Sequence, residues 1–291
     1  MSLDQEFENT EEEESGDEMS FLGHLEELRW HVIRAAGSIL VFAIIAFVFI
    51  EEIYHYIIIA PSKPDFWTYR MLCILADKVN YEELCIKSLN FSLQTIGMGD
   101  QFTMSMTSSV IAGLVFAFPY AFWEIWRFIK PGLKPNERKS ARGAVFYVSF
   151  LFFAGVLFGY FVVTPLAINF LANFTLDEAI KNEFSLASYI SLVATLTLAC
   201  GIAFQLPIVV YVLSRVGILT PAFMREYRKH SMIVILIIAA VITPSPDIYS
   251  QILVAIPLFM LFEISILVSA KVQREKLQEE KDLQGPLSED E

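Results

Sequence analysis

The chain has 291 residues, 55% of them hydrophobic and only 19% charged, with a net charge of −12. Soluble domains carry about 45–50% apolar and about 25% charged residues, so this balance excludes an ordinary soluble fold and implies a membrane protein. The acidic excess belongs to the ends, with 11 of the 33 acids in residues 1–27 and 7 in residues 270–291; no basic field remains that would suit nucleic acid.

Three parts are expected. Residues 1–18 form an acidic tail, disordered because it has too little apolar surface to bury. Residues 19–270 form a transmembrane domain, and residues 271–291 a charged cytoplasmic tail. The first 28 residues contain no Lys or Arg, whereas a secretory leader begins with positive charge, so the first apolar stretch is expected to be a retained span. Phe21, Leu25, Leu28 and Val32 recur at helical spacing, which predicts an amphipathic helix leading into it.

A span needs about 20 apolar residues to cross about 30 Å of hydrocarbon. The fold class expected is all-α, with six transmembrane helices near Trp30–Ile50, Met106–Trp126, Ala144–Thr164, Tyr189–Leu213, Ser231–Thr243 and Ile252–Ser269. The fifth covers 13 residues, and at about 1.5 Å each it reaches only about 20 Å. The sixth is also short and contains Pro257. With six spans, 16 of the 21 Lys and Arg fall on the side of the two termini and 5 on the other, so both termini are expected in the cytoplasm. The long first external loop holds Cys73 and Cys85, read either as a disulfide or as two free thiols. Cys200 lies within the fourth span and reads as inert packing. Gly155 and Gly159 form a GxxxG pattern that reads as close helix packing.

No phosphate loop, nucleophile elbow or paired metal-binding histidines occur, so no enzyme constellation, metal site or cofactor is expected. The polar residues that stand out lie toward the cytoplasmic edge. Glu26 and Glu27 lie on the polar face of the first helix, either simply solvated or available to a ligand. Glu137 is the sole acid among six cations in residues 127–142, and either pairs locally with Arg138 or Arg142 or accepts a cationic ligand. Gln205 lies inside span four, where a buried amide must be hydrogen-bonded; a backbone carbonyl freed by Pro207 is one available partner. Glu263 in span six either snorkels to the cytoplasm or pairs with another helix.

Taken together these segments resemble the C subunit of the twin-arginine protein translocase, the TatC family. His24-Leu25-Glu26-Glu27-Leu28-Arg29 is similar to its N-terminal H-L-x-E-L-R motif. Phe128-Ile129-Lys130-Pro131-Gly132-Leu133, followed by Glu137-Arg138, is similar to its first cytoplasmic loop. Thr243-Pro244, Pro246-Asp247-Ile248-Tyr249-Ser250-Gln251, Pro257 and Glu263 are similar to its last periplasmic turn, which includes Asp247, and its final helix. The resemblance implies a receptor for signal peptides with paired arginines, helping folded proteins cross the inner membrane on the proton-motive force. Glu27 and Glu137 would hold the two arginines, with Arg29, Phe128 and Arg138 in the same patch. Implied partners are those signal peptides, single-span TatA/TatB-type subunits and membrane lipid, in an oligomeric complex. Gln205 and Glu263 would be intramembrane partner contacts, although Gln205 stands where the family commonly has Glu and cannot titrate. A secondary transporter is the competing reading; it is disfavoured because the two halves show no repeat.

Overall fold

The computed structural model describes residues 21–80, 85–86, 89, 91–129, 143–177, 182–242 and 248–284. The first long helix, α1 (Phe21–Val48), contains the polar start and the first apolar stretch as one rod. It continues through a short turn at Ile50–Ile53 and a π-turn at Tyr54–Ile58 into a 3₁₀ turn at Ala60–Ser62. Helix α2 (Trp67–Val79) follows and ends on Asn80, whose φ of 54° is the left-handed stop that Asn tolerates. A three-residue strand, β1 (Ser92–Gln94), precedes the second long helix, α3 (Asp100–Ile129).

The third span is helix α4 (Ala144–Phe158), a π-turn at Gly159–Val163 and helix α5 (Thr164–Asn173) in one column. Pro165 explains the π-turn: it has no N–H, so the carbonyl of Phe161 one turn earlier lacks its helical donor. The hydroxyl of Thr68 in α2 donates to that carbonyl instead. Strand β2 (Glu183–Ser185) then pairs in parallel with β1, with Ser92 opposite Glu183 and Gln94 opposite Ser185. This ties the segment between α1 and α3 to the segment that opens the fourth span.

The fourth span is broken. Helix α6 (Leu186–Ala203) stops, Phe204 and Gln205 turn, and helix α7 (Leu206–Val216) restarts with Pro207 in its first turn. A short helix α8 (Pro221–Glu226), capped by the Thr220 hydroxyl, leads into α9 (Arg228–Ile242). The last helix is α10 (Ile248–Gln284).

Five of these columns are long and apolar enough to cross a membrane: Glu26–Val48, Asp100–Phe128, Val145–Asn173, Leu186–Val216 and Val254–Gln278. This is a multi-pass helical membrane fold. Helix α9, with 15 residues, is the short one, as hydropathy predicts. The final helix is not short. It has 37 residues against the expected Ile252–Ser269, because the charged segment after Ser269 is rich in helix-forming Glu, Lys, Gln and Leu and continues the rod beyond the apolar stretch.

The helices pack through small residues. A Cβ on Gly113 would lie 2.6 Å from the backbone nitrogen of Ala43, so α1 and α3 touch backbone to backbone there. A Cβ on Gly155 would lie 2.6 Å from the carbonyl of Cys200, and one on Gly159 would lie 2.9 Å from that of Leu196. The GxxxG face of the third span is therefore the seat of α6, and Cys200 is buried beside it. Around this contact Val163, Ala167, Leu196, Ile235, Ala239, Val254 and Leu258 form a buried cluster in which α5, α6, α9 and α10 meet. Replacing Gly155 by Leu forces α4 and α6 apart. It should destabilise the purified protein by at least about 1–3 kcal/mol, read as an earlier melting temperature in detergent, whereas Leu at the lipid-facing, half-exposed Val209 should leave it unchanged.

Candidate functional site

The start of α1 and the end of α3 lie side by side at one end of the bundle. Their apposition is set by polar contacts inside the apolar stretch. Glu124 of α3 is 1% exposed, and His31 of α1 is 5% exposed. Nδ1 of His31 lies 2.5 Å from Oε2 of Glu124, and Nε of Arg34 donates to the same oxygen at 3.1 Å. The hydroxyl of Tyr120 donates to the other carboxylate oxygen at 3.0 Å. Beyond this cluster the ring of Phe128 sits with its centroid 6.1 Å from that of His31. Glu27 lies one helical turn before His31, half-buried, and Arg29 is exposed. Among the described residues Glu27 makes no ion pair.

The structure thus brings together Glu27, Arg29 and Phe128 at one end. Glu137 and Arg138 lie outside the described residues; the segment that holds them leaves α3 at Ile129, next to Phe128, and re-enters at Gly143. Asp247 also lies outside the described residues.

The same end carries two further ion pairs, both partly exposed. Arg215, at the end of α7, pairs with Glu275 of α10 at 2.5 Å and stacks over the ring of Tyr211. The ammonium of Lys276 donates to the carbonyl of Arg215. Tyr211, Arg215 and Glu275 line an apolar cleft of about 560 Å³ between α3, α4, α7 and α10, together with Leu151, Ile208 and Leu261. Trp126, half a turn before Phe128, lines one wall. Glu263 of α10 pairs with Arg228 at the start of α9, which answers the choice left by the sequence: its carboxylate turns to a neighbouring helix.

Gln205 stands at the break in the fourth span. Its Nε2 donates to the carbonyl of Val148 on α4 at 3.3 Å, not to a carbonyl freed by Pro207 on its own helix. Its Oε1 is buried without a hydrogen-bond partner among the described residues. The amide carries an unused acceptor inside the bundle.

At the opposite end, tyrosine hydroxyls hold the segment between α1 and α3 against the third and fourth spans. Tyr160 donates to the carbonyl of Ile57 at 2.7 Å, and Tyr189 to that of Ile58 at 2.8 Å. The buried hydroxyl of Tyr69 sits 3.0 Å from the carbonyls of both Pro61 and Pro165. Cys73 and Cys85 are joined in a disulfide, with their Cα atoms 4.2 Å apart. No group of three or more His, Cys, Asp or Glu suited to a metal ion occurs among the described residues.

The Glu124 cluster escaped sequence reasoning. Glu124 falls inside the expected span Met106–Trp126, and His31 and Arg34 inside Trp30–Ile50, and none of the three was singled out. The signal that would have found it is a set of charges falling inside two apolar spans, since such residues face the interior and pair.

Helical spans with one charged end and one tyrosine-tied, disulfide-bearing end define a multi-pass helical membrane protein. The profile of the Sec-independent protein translocase protein (TatC) family matches residues 23–257. A TatC of Blattabacterium from Periplaneta americana is 39% identical over 89% of this chain and 98% of its own. That of Deinococcus radiodurans is 36% identical over 91% of this chain and 90% of its own. A crystal structure titled twin arginine translocase receptor TatC superposes with a TM-score of 0.62 at 31% identity, covering 86% of this chain and 99% of that one. The chain belongs to the TatC family, and is a component of a Sec-independent protein translocase. No catalytic activity is indicated for that family.

Thiol labelling checks the Cys73–Cys85 disulfide. The unfolded, unreduced protein should expose one reactive thiol, that of Cys200, and three after reduction. Three before reduction would contradict the bond.

Proposed function

We propose that this chain is the receptor subunit for signal peptides that carry two consecutive arginines. Glu27 and Glu137 act as the acceptors for the two guanidinium groups, and Arg29, Phe128 and Arg138 shape the patch. The observation that carries this reading is that Glu27 lies one turn from His31, whose ring faces Phe128, at one end of the α1–α3 pair, with Glu27 outside any ion pair among the described residues. Arginine is permanently charged and binds a carboxylate through a planar, two-pronged fork, whereas lysine offers a point charge. Such a hydrogen bond to a charged group contributes about 1.5–3 kcal/mol. The peptide's apolar segment follows the helices inward, and the cleft beginning at Trp126 offers it an apolar wall.

Six spans with both termini in the cytoplasm agree with the distribution of Lys and Arg and put the patch at the cytoplasmic face of the inner membrane. There the patch meets a signal peptide before the cargo crosses. The unused acceptor of Gln205 suits a hydrogen-bond donor on a single-span TatA/TatB-type partner helix. The paired carboxylate of Glu263 suits a partner contact only through exchange with Arg228. Transport draws on the proton-motive force, and folded cargo is the substrate of the assembled complex.

The test is photo-crosslinking of the purified protein to a signal peptide with Arg-Arg, compared with the same peptide carrying Lys-Lys. Arg-Arg should label strongly and Lys-Lys weakly; equal labelling, or none, would remove the receptor reading. In cells, Glu27→Ala together with Glu137→Ala should leave the protein at normal abundance in the membrane and abolish export of Arg-Arg substrates. Normal export by that double variant would show that these carboxylates are not the acceptors.

A further inference from the structure

Glu124 is the only buried acid among the described residues. A lone carboxylate in hydrocarbon is strongly disfavoured, and this one is retained in the stretch 110–126, whose other residues carry no charge. Its two oxygens are held from both helices: Nε of Arg34 on α1 and the hydroxyl of Tyr120 on α3 donate to them, and Nδ1 of His31 on α1, itself 3.0 Å from Nη2 of Arg34, lies against Oε2. Such a cluster does what apolar packing does poorly. A smooth apolar seam tolerates small sliding, but a carboxylate bonded to two side chains one turn apart on its neighbour allows one axial register. Setting register is the best-attested use of buried polar groups.

That register bears directly on the patch proposed above. Glu27 precedes His31 by one turn on α1, and Phe128 follows Glu124 by one turn on α3. The rings of His31 and Phe128 touch across the seam. Any axial slip of α1 along α3 moves the carboxylate of Glu27 relative to Phe128 and to the point where the chain departs toward Glu137. A fork of two N–H groups is far less tolerant of such a shift than a single ammonium.

We infer that Glu124, His31 and Arg34 are positioning residues that hold the arginine-accepting patch in register and so set its preference for arginine over lysine. The inference rests on the receptor reading; it adds residues that touch no ligand and act through the placement of Glu27 and Phe128. A cluster that merely holds α1 to α3 would behave differently when weakened. It would reduce the amount of folded protein and the labelling by both peptides in the same proportion. Loss of register lowers Arg-Arg labelling per folded molecule while Lys-Lys labelling stays near its already low level.

The experiment measures labelling of full-length protein in detergent by the Arg-Arg and Lys-Lys peptides, per molecule recovered as folded by size exclusion and thermal melting. Glu124→Gln, His31→Gln and Tyr120→Phe are compared with the unsubstituted protein. Tyr120→Phe removes one donor and keeps both α1 contacts, so it folds most readily and should give a smaller effect of the same sign. In Glu124→Gln the ratio of Arg-Arg to Lys-Lys labelling should fall about tenfold, which corresponds to about 1.4 kcal/mol. Adding Glu124→Gln to a Glu27→Gln background should produce no further fall, because both act through one acceptor. An unchanged ratio in Glu124→Gln and His31→Gln overturns the inference, as does loss of folded protein in all three variants with the ratio preserved in what remains. If the unsubstituted protein itself shows no preference for Arg-Arg, the receptor reading fails instead, and the two failures are told apart by that control.

Discussion

Hydrocarbon supplies no water to complete the hydrogen bonds of a peptide group, and this constraint governs the molecule. It dictates long helices, and it makes each interruption a place where something else must supply the missing bond. Pro165 removes a donor in the third span, and the hydroxyl of Thr68 supplies one from a different segment. The segment after α1 leaves its α-helical geometry at Tyr54–Ile58, and the hydroxyls of Tyr160 and Tyr189 donate to its carbonyls. The fourth span breaks at Phe204–Gln205, and the side chain of Gln205 reaches the third span there. Interruptions in one element are thus answered by side chains of another, and these answers become the tertiary contacts.

Charge obeys the same rule at the other end. Three acidic side chains, Glu124, Glu263 and Glu275, each meet an arginine on a different helix. Those pairs join α1 to α3, α9 to α10 and α7 to α10. Their environments differ. Glu124 is fully enclosed, so its contacts are conditions of burial, whereas the Arg228–Glu263 pair is partly exposed and contributes little to stability beyond orientation. Glu27 stands apart from this set. It shares the charged end, yet no described cation neutralises it, which leaves it suited to a cation arriving from outside.

Much of this was legible in the chain. Apolar runs located the spans because a long uncharged stretch has few alternatives to crossing a bilayer. The spacing of Phe21, Leu25, Leu28 and Val32 announced the helix that carries Glu27. Gly155 and Gly159 announced a close helix contact, although not which helix would fill it. The extent of α10 was less legible, since hydropathy marks where a helix is oily and not where it ends. The partner of Gln205 was not legible: the sequence offered a local carbonyl as one candidate, while the one it bonds lies on α4.

By itself the sequence determined that this is a helical membrane protein, where its spans run, which end carries the positive charge, and which short motifs tie it to the TatC family. Those properties follow from hydropathy, charge count and local order along the chain. Only the tertiary structure decided that His31, Arg34 and Glu124 form one cluster, that Glu263 turns to Arg228, and that Cys73 bonds Cys85. Each joins residues from different segments or turns a side chain one way among several. The physical reason is that pairing energy depends on distance in space, and sequence separation says nothing of that until the helices are packed.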